Sequence, residues 1–310
     1  MILSAGEALI DMLPRTSSHA EPCFAPVAGG SVFNTAIALG RLGARSLFFT
    51  GLSTDLFGRK LETSLKASGV DYALCARSDR PTTLAFVELT EGHAKYAFYD
   101  EGTAGRMIGE GDLPTREALE GVEAIFFGGI SLVVEPCASA YEALALRECG
   151  DRLVMIDPNI RPTFIKDEAA YRARIERMIG AADVVKVSDE DLKWIAGEGE
   201  LADLAATLLT WGPKVICVTE GSKGVTAYMT GRTLFSEATP VDVVDTVGAG
   251  DTFNAGFLDG LRRAGYLAKA RLADIPDAAL EDALKLGSAA AAVTVSRAGA
   301  NPPTAAELGL

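Results

Sequence analysis

Residues 245–257 run DTVGAGDTFNAGF and carry more information than any other stretch of this chain. Residues 241–244 before it are predicted to be extended, and residues 252–263 are predicted to form an amphipathic helix. Because glycine has no Cβ, Gly248 and Gly250 let backbone N–H groups converge. The start of a helix adds partial positive charge. The stretch therefore predicts a turn that binds an anion such as phosphate.

Asp251 needs a chemical reason to stand beside such a turn, because a carboxylate repels an anionic ligand. Removal of the proton from a hydroxyl that attacks the phosphate would supply that reason. The alternative is a plain turn followed by an aspartate that caps a helix, since short glycine motifs recur by chance.

The composition limits the class of protein. The chain has 310 residues, of which 48% are hydrophobic, and this permits one large domain or two small ones. Its formal charge of −13 disfavours nucleic acid and anionic membranes as partners. No apolar run has membrane-spanning length, and the start lacks the basic residues of a signal peptide. Five cysteines without C-x-x-C spacing indicate reduced thiols in a cytoplasmic protein.

Short apolar runs alternate with helical patterns along the whole chain. This alternation predicts an α/β fold in which a mostly parallel sheet carries helices on both faces. Buried strands are predicted at 2–5, 46–51, 124–128, 153–157, 184–187 and 215–219. Helices are predicted at 31–42, 55–68, 136–148, 169–181, 189–196, 201–210, 251–263 and 280–295. Ligands of such sheets bind beyond the carboxyl ends of the strands.

Residues 8–28 and 82–100 break this pattern, because their apolar residues alternate with period two. Residues 83–89 and 93–99 predict the two strands of a hairpin, and Glu91-Gly92 predicts its turn. The hairpin is interpreted either as part of a small lid over an active site or as an ordinary surface hairpin.

Several loops after predicted strands or before helices offer candidate site residues. Gly29 and Gly30 permit a close backbone approach, Ser31 can cap the next helix, and Asn34 lies one turn inside it. Asp11 follows the first strand, where aspartate more often serves in a turn.

Three further loops each allow a structural and a functional interpretation. Arg161 can bind phosphate with its planar fork of donors, or it can be a solvated surface residue. Ser188 is a good N-cap, and Asp191 completes a pattern like a capping box. Gly221 and Gly224 indicate a turn.

Taken in order, Gly29-Gly30-x-x-x-Asn34 and the glycine turn with Asp251 resemble the two signatures of the ribokinase-like carbohydrate kinases, often called the PfkB family. The resemblance implies one ribokinase-like domain over residues 1–310, with a lid formed by about 11–28 and 82–100. It implies transfer of the γ-phosphoryl group of ATP to a sugar hydroxyl. Asp251 would act as the base, and the N–H groups of Gly248, Ala249 and Gly250 would stabilise the transferring charge.

The resemblance also assigns binding residues. For the sugar these are Asp11, Gly29, Gly30, Asn34, Phe98 and Asp251. Arg161 is expected near the transferred phosphate or the substrate. For the nucleotide they are Lys186, Ser188, Thr219, Gly221, Gly224, Gly248, Gly250 and Ser288.

Two metal ions are implied by the resemblance. The family has N-x-x-E where this chain has Ser188 and Asp191, and Asp191 is expected to hold Mg²⁺ through water. A monovalent cation, K⁺ first, is expected on mainly backbone oxygens of Asp245, Val247, Thr294, Arg297 and Gly299.

The sugar is harder to predict. Residues 81–87 with Phe98 and Tyr99 look most like fructokinases. Kinases of 2-keto-3-deoxygluconate often have Arg where this chain has Asp100, so a neutral ketohexose, D-fructose, is favoured. The keto acid is the alternative, followed by ribose and adenosine. A homodimer through an exposed edge of the lid is also expected.

Two other classes of function remain open. One is a catalytically silent sugar-binding regulator on the same fold, which the intact Asp251 and its turn disfavour. The other is a dinucleotide-binding oxidoreductase, which would need G-x-G-x-x-G after the first strand, where residues 6–9 are GEAL.

Overall fold

A computed structural model describes residues 1–90 and 93–310. The strands are β1 (Ile2–Ala5), β2 (Leu9–Thr16), β3 (Pro22–Gly29), β4 (Ser46–Phe49), β5 (Gly51–Ser53), β6 (Ala76–Ser78), β7 (Thr83–Thr90), β8 (His93–Tyr99), β9 (Ala124–Gly128), β10 (Leu153–Asp157), β11 (Val184–Ser188), β12 (Val215–Thr219), β13 (Gly224–Met229) and β14 (Arg232–Glu237). The α-helices are α1 (Ser31–Arg41), α2 (Leu56–Ala67), α3 (Cys137–Glu148), α4 (Glu168–Ala181), α5 (Asp189–Ala196), α6 (Leu201–Leu209), α7 (Ala249–Arg263), α8 (Lys269–Leu272) and α9 (Asp277–Val295).

The central sheet has eight strands in the order β14-β13-β12-β11-β10-β9-β1-β4. The strands from β12 to β4 run parallel, whereas β13 and β14 add an antiparallel edge. The prediction of a mostly parallel sheet is therefore confirmed. Its carboxyl edge carries the loops that build the site.

Both faces of this sheet are covered by helices, because successive side chains of a buried strand point to opposite sides. Ile2 lies in one apolar core together with residues of α1, α7 and α9. Leu3 lies in the other core, with residues of α3, α4 and α6. Strands buried on both sides explain why these segments are continuous apolar runs in the sequence.

Several predicted elements differ from the structure. The predicted strand 46–51 is two strands, since the chain leaves the central sheet after β4 and pairs β5 with β6. The antiparallel strands β13 and β14 were not predicted. Residues 241–244 form no strand; Val243 and Val244 are both 63% exposed, and Val244 N donates to Val295 O at 2.8 Å.

Helix α7 forms where an amphipathic helix was predicted, but its polar face does not lie in solvent. Every residue from Asp251 to Leu261 is buried, since the helix packs between α1 and α9. The turn that opens this helix is half-buried at the carboxyl edge of the sheet.

A second sheet of four strands, β3-β2-β7-β8, is formed by the two segments with period-two alternation. Pairing is antiparallel for β2–β3 and β7–β8 and parallel for β2–β7. The rings of Phe24 and Tyr99 both pack edge-on against Phe86. The predicted turn Glu91-Gly92 lies outside the described residues.

Two findings bear on the class of protein. Among the helices of the described ranges, none is both long and apolar enough to cross a membrane. All five cysteines are free thiols.

Candidate active site

The glycine turn (residues 248–250) opens α7 at the carboxyl edge of the central sheet. Gly248 is the N-cap and has the left-handed φ of 79°. A Cβ at this position would stand 2.6 Å from the Cβ of Ala300, so glycine is required for both conformation and space. The first N–H groups of α7 lie in this turn; that of Ala249 donates to Thr246 O at 3.3 Å.

Asp251 lies in the first turn of α7 and is only 7% exposed. Its Oδ2 accepts a hydrogen bond from Asn34 Nδ2 at 2.9 Å, and its backbone carbonyl accepts one from Thr35 Oγ1 at 3.2 Å. Burial raises the pKa of the Asp251 carboxyl from its usual 3.8 to about 7, although the bond from Asn34 lowers it. A carboxyl with this pKa can accept a proton near neutral pH.

Two cavities meet at the glycine turn. The acceptor-side cavity, about 300 Å³, is lined by residues that include Glu7, Asp11, Asn34, Phe98, Arg161, Lys186 and Asp251. The turn-side cavity, about 550 Å³, is lined by residues that include Thr219, Gly221, Gly224, Phe253, Ser288 and Val295. Thr246, Ala249 and Gly250 line both cavities. Two ligands could therefore approach each other across this turn.

Asp11 of β2 faces the acceptor-side cavity beside β3. Its Oδ2 lies 2.2 Å from the place that a Cβ of Gly29 would occupy, so the carboxylate fits only because residue 29 is glycine. Burial raises the pKa of Asp11 from 3.8 to about 6. A carboxylate that faces a cavity is suited to accept hydrogen bonds from hydroxyl groups of a neutral ligand.

Glu7 is a site residue that the sequence reasoning missed. Its Oε1 accepts hydrogen bonds from Ser31 N at 2.9 Å and Ser31 Oγ at 3.0 Å, and its Oε2 accepts one from Ser131 N at 3.3 Å. The expectation that Ser31 caps α1 was wrong, because Gly30 is the N-cap and the carboxylate of Glu7 serves the first amides. An acid in the otherwise apolar and buried segment 2–10 was the signal that could have revealed it.

Lys186 reaches the acceptor-side cavity from β11 and is buried. Its Nζ donates to Asp157 Oδ2 at 3.0 Å, and Asn254 Nδ2 of α7 donates to the same oxygen at 2.8 Å. Burial alone would lower the pKa of Lys186, but the charge and hydrogen bond of Asp157, together with the charges of Asp191 and Asp251, raise it overall. The lysine is therefore a fixed cation below the glycine turn.

Arg161 and Asp191 lie on the neighbouring loops. Arg161 is exposed, lines the acceptor-side cavity and donates from Nη1 to Ile160 O at 2.9 Å. Asp191 Oδ1 accepts from Ile160 N at 3.3 Å. Burial, followed by the charge of Asp157, raises the pKa of Asp191 to about 6. In the part of the chain that the structure describes, no group of three or more acidic, His or Cys side chains could hold a metal.

Ser188 acts as the N-cap of α5, because its Oγ accepts a hydrogen bond from Asp191 N at 3.0 Å. It lines neither the acceptor-side nor the turn-side cavity, although it is the cross-strand partner of Thr219. Thr219, Gly221, Gly224 and Ser288 do share the turn-side cavity.

The loop expected to hold a monovalent cation is assembled around Asp245. Its Oδ1 accepts from Val247 N at 3.0 Å, and its Oδ2 accepts from Gly299 N at 2.8 Å. Arg297 N donates to Thr294 O at 3.1 Å. Residues 245–247 and 294–299 are thus held together beside the glycine turn.

Phe98 at the end of β8 joins the second sheet to the site. Its ring centroid lies 4.7 Å from that of Phe164, and it lines both the acceptor-side cavity and a lid cavity of about 530 Å³. Of these two cavities, Asp100 lines only the lid cavity. Its Oδ2 forms an ion pair with Arg106 Nη1 at 3.1 Å. The two cavities adjoin at Phe98, so a part of Asp100 in disfavouring an acidic sugar stays a prediction.

Comparison with known proteins places the chain in a family. A profile of the pfkB family carbohydrate kinases matches residues 1–307. A fructokinase from Rhizobium leguminosarum bv. trifolii is 51% identical over 282 residues, which cover 91% of this chain and 86% of the relative.

Solved structures agree with this assignment. The crystal structure of fructokinase with bound ATP from Xylella fastidiosa has a TM-score of 0.89 and 27% identity, and covers 96% of this chain and 93% of its own. Fructokinase from Vibrio cholerae O395, in its fructose, ADP and calcium ion bound form, has a TM-score of 0.83 and 25% identity. The match covers 96% of this chain and 94% of the Vibrio chain. The fold, the glycine turn and the match along almost the whole chain show that this protein belongs to the pfkB family of carbohydrate kinases.

Proposed function

We propose that this chain is an ATP-dependent fructokinase. One observation carries the proposal: the buried carboxylate of Asp251 lies at the glycine turn shared by two cavities, one with polar groups for a sugar and one with an apolar lining for a nucleotide base. The 51% identity to the Rhizobium fructokinase supports fructose as the sugar.

In the proposed reaction, fructose occupies the acceptor-side cavity and ATP occupies the turn-side cavity. A hydroxyl oxygen of fructose forms a bond to the γ-phosphorus while its proton passes to Asp251. The bond between the γ-phosphorus and the bridging oxygen breaks, and ADP leaves with that electron pair. The pKa of about 7 suits this carboxylate to the task at neutral pH.

Charge on the transferring group needs donors that are already in place. We assign this role to the N–H groups of Gly248, Ala249 and Gly250 at the start of α7, where the helix dipole also favours negative charge. The Ala249 N–H must exchange its long bond to Thr246 O to take part. Arg161 and Lys186 line the same cavity and add positive charge to it.

Sugar recognition is assigned to Asp11, Asn34, Gly29, Gly30 and Phe98. Carboxylate and amide side chains bind hydroxyl groups, and the ring of Phe98 offers an apolar face. For the nucleotide, Thr219, Gly221, Gly224 and Ser288 line the proposed base and ribose site. Ser188 is proposed only to support its loop.

Two cations complete the proposal. A Mg²⁺ ion supplies charge neutralisation to the nucleotide phosphates. Asp191 is half-buried in the first turn of α5 and lines neither cavity, so we propose that it holds this ion through water rather than directly. K⁺ is proposed on backbone oxygens of Asp245, Val247, Thr294, Arg297 and Gly299. The Asp245 carboxylate supports this site because it bonds both of the segments that supply those oxygens.

The second sheet is proposed to act as a lid within a single kinase domain of residues 1–310. Closure over fructose would exclude water and limit ATP hydrolysis. Phe24 and Tyr99 are 48% and 64% exposed on this sheet, so we propose that two lids pair in a homodimer. A cytoplasmic location, without nucleic acid or membrane partners, is part of the same proposal.

An acceptor panel tests the function. ADP release is measured with ATP and fructose, 2-keto-3-deoxygluconate, ribose or adenosine as the acceptor. We expect kcat/KM for fructose to exceed each other value by about tenfold or more, the size of one lost set of polar contacts. Preference for the keto acid would contradict the substrate, and ADP release that no sugar stimulates would contradict the kinase.

A further inference from the structure

Three buried polar side chains form a cluster directly below the glycine turn. Asp157 ends β10, Lys186 lies in the neighbouring strand β11, and Asn254 lies in the second turn of α7. Asp157 Oδ2 accepts from Lys186 Nζ at 3.0 Å and from Asn254 Nδ2 at 2.8 Å. The three residues are 1%, 6% and 0% exposed, so the cluster is fixed by the core rather than by solvent.

The cluster points its cation at the site. A Cβ at Gly250 would lie 2.9 Å from Lys186 Nζ, so the ammonium touches the backbone of the turn itself. Lys186 also lines the acceptor-side cavity with Asp251. A cation at this place adds to the field of the turn amides, and a lysine on a flexible stem needs a partner to keep it there.

Asn254 is not explained by packing. Its Oδ1 is buried and has no hydrogen-bond partner within the described part of the chain. A buried acceptor without a hydrogen bond destabilises the folded state, and a leucine of similar volume at this position would avoid that cost. The amide is therefore kept for the single bond that it makes, which orients the carboxylate of Asp157.

We propose that Asp157 and Asn254 are positioning residues that hold the Lys186 ammonium against the glycine turn, where its charge meets the γ-phosphoryl group during transfer. This inference rests on the proposed kinase function and adds to it the residues that aim the cation. Asp157 acts through Lys186, and Asn254 acts through Asp157.

The same cluster sets the electrostatic surroundings of Asp251. The charged groups around Asp251 are Glu7 after β1, Asp11 in β2, Asp157, Arg161 and Lys186, and Asn34 of α1 adds its amide. After burial, which raises the pKa of Asp251, the charge of Asp157 raises it further and that of Lys186 lowers it. Removing the charge of Asp157 should therefore lower the pKa of Asp251, and removing the charge of Lys186 should raise it.

The test compares Asp157→Asn, Lys186→Met and Asn254→Leu with Asp183→Asn as the control. Asp183 is buried at the opposite end of β11 and pairs with Lys269, so its loss removes a comparable ion pair far from the turn. Folding is checked for every variant by Tm. The pH profile of kcat/KM is measured with whichever acceptor the wild type turns over fastest.

We expect Asp157→Asn to move the acid limb of the profile to lower pH and Lys186→Met to move it to higher pH, while Asp183→Asn leaves it in place. Asn254→Leu, which keeps every charge, should lower kcat about tenfold with KM for the sugar within about threefold. The inference would be overturned if the acid limbs of Asp157→Asn and Lys186→Met moved no further than that of Asp183→Asn. It would also be overturned if Asn254→Leu kept the kcat of the wild type.

Calorimetry provides an arm that needs no turnover. Lys186→Met should weaken ATP binding about tenfold, as expected when a charged hydrogen bond to phosphate is lost, and leave adenosine binding unchanged. Equal affinity of wild type and variant for ATP would overturn the role of Lys186. If the wild-type enzyme does not phosphorylate fructose, but the variants show these shifts with another acceptor, the proposed substrate is contradicted and the inference stands.

Discussion

Replacement of Asn34 by leucine tests how the protein controls the proton affinity of Asp251. The substitution removes the 2.9 Å hydrogen bond from Asn34 Nδ2 to the carboxylate and leaves a residue of similar volume. A hydrogen bond to a charged group contributes about 1.5–3 kcal/mol. One pKa unit corresponds to about 1.4 kcal/mol, so the pKa of Asp251 should rise by about 1 to 2 units.

The effect on activity follows from the starting pKa of about 7. At pH 7 the ionised fraction of Asp251 should fall from about one half to between about one tenth and one hundredth, a loss of about 5- to 50-fold in kcat/KM. Because the base must be ionised, this part of the loss should disappear as the pH rises past the new pKa. Loss of a direct contact between Asn34 and the sugar would add a factor that is the same at every pH.

The measurement is kcat/KM from sugar-dependent ADP release between about pH 5.5 and pH 9.5, the range that spans both pKa values. Thr35→Val is the matched control, because Thr35 Oγ1 bonds the backbone carbonyl of Asp251 rather than its carboxylate. Its acid limb should stay at the wild-type pH. A uniform loss at all pH values in Asn34→Leu would refute the assignment of Asn34 as a regulator of Asp251.

Three other predictions concern the cation, the core and the lid. Exchange of K⁺ for a bulky organic cation should lower kcat/KM several-fold, read in the same ADP assay, because the backbone oxygens around Asp245 lose their ion; equal rates would contradict that site. Gly256→Leu should destabilise the fold by about 1–3 kcal/mol or more in denaturant titration, because a Cβ there stands 2.8 Å from Gly287 Cα of α9; an unchanged midpoint would contradict this close packing. Tyr99→Asp should convert a lid dimer to monomers in sedimentation experiments, and a dimer that persists would exclude this interface.

The fold was largely predictable because its strands are buried on both faces. Segments such as β1 and β9 are short and buried at every position, whereas an amphipathic helix has apolar residues only at every third or fourth position. The antiparallel strands β13 and β14 were not predicted although both carry strand signals, since β13 is almost wholly buried and β14 largely alternates half-buried with exposed residues. The burial of α7 could not be foreseen either, because Asp251, Asn254 and Asp259 suggest a polar face that the structure encloses.

The candidate site was predictable where a motif carries it and not where tertiary contacts build it. The glycine turn and Asp251 follow from a local motif, and Asn34 follows from the resemblance to the second signature of the family. Glu7 and the bonds among Asp157, Lys186 and Asn254 depend on side chains far apart in the chain, which only the fold brings together. The ion pair between Asp100 and Arg106 is likewise a contact that only the folded chain shows.

Asp251→Asn tests the role of the carboxylate most directly. The variant keeps the shape of the side chain but cannot take the proton of the attacking hydroxyl. With fructose as the acceptor, ADP release should fall by about 10²–10⁴-fold while calorimetry shows ATP binding close to that of the wild type. Turnover near the wild-type rate, with ATP bound normally, would contradict the assignment of Asp251 as the base.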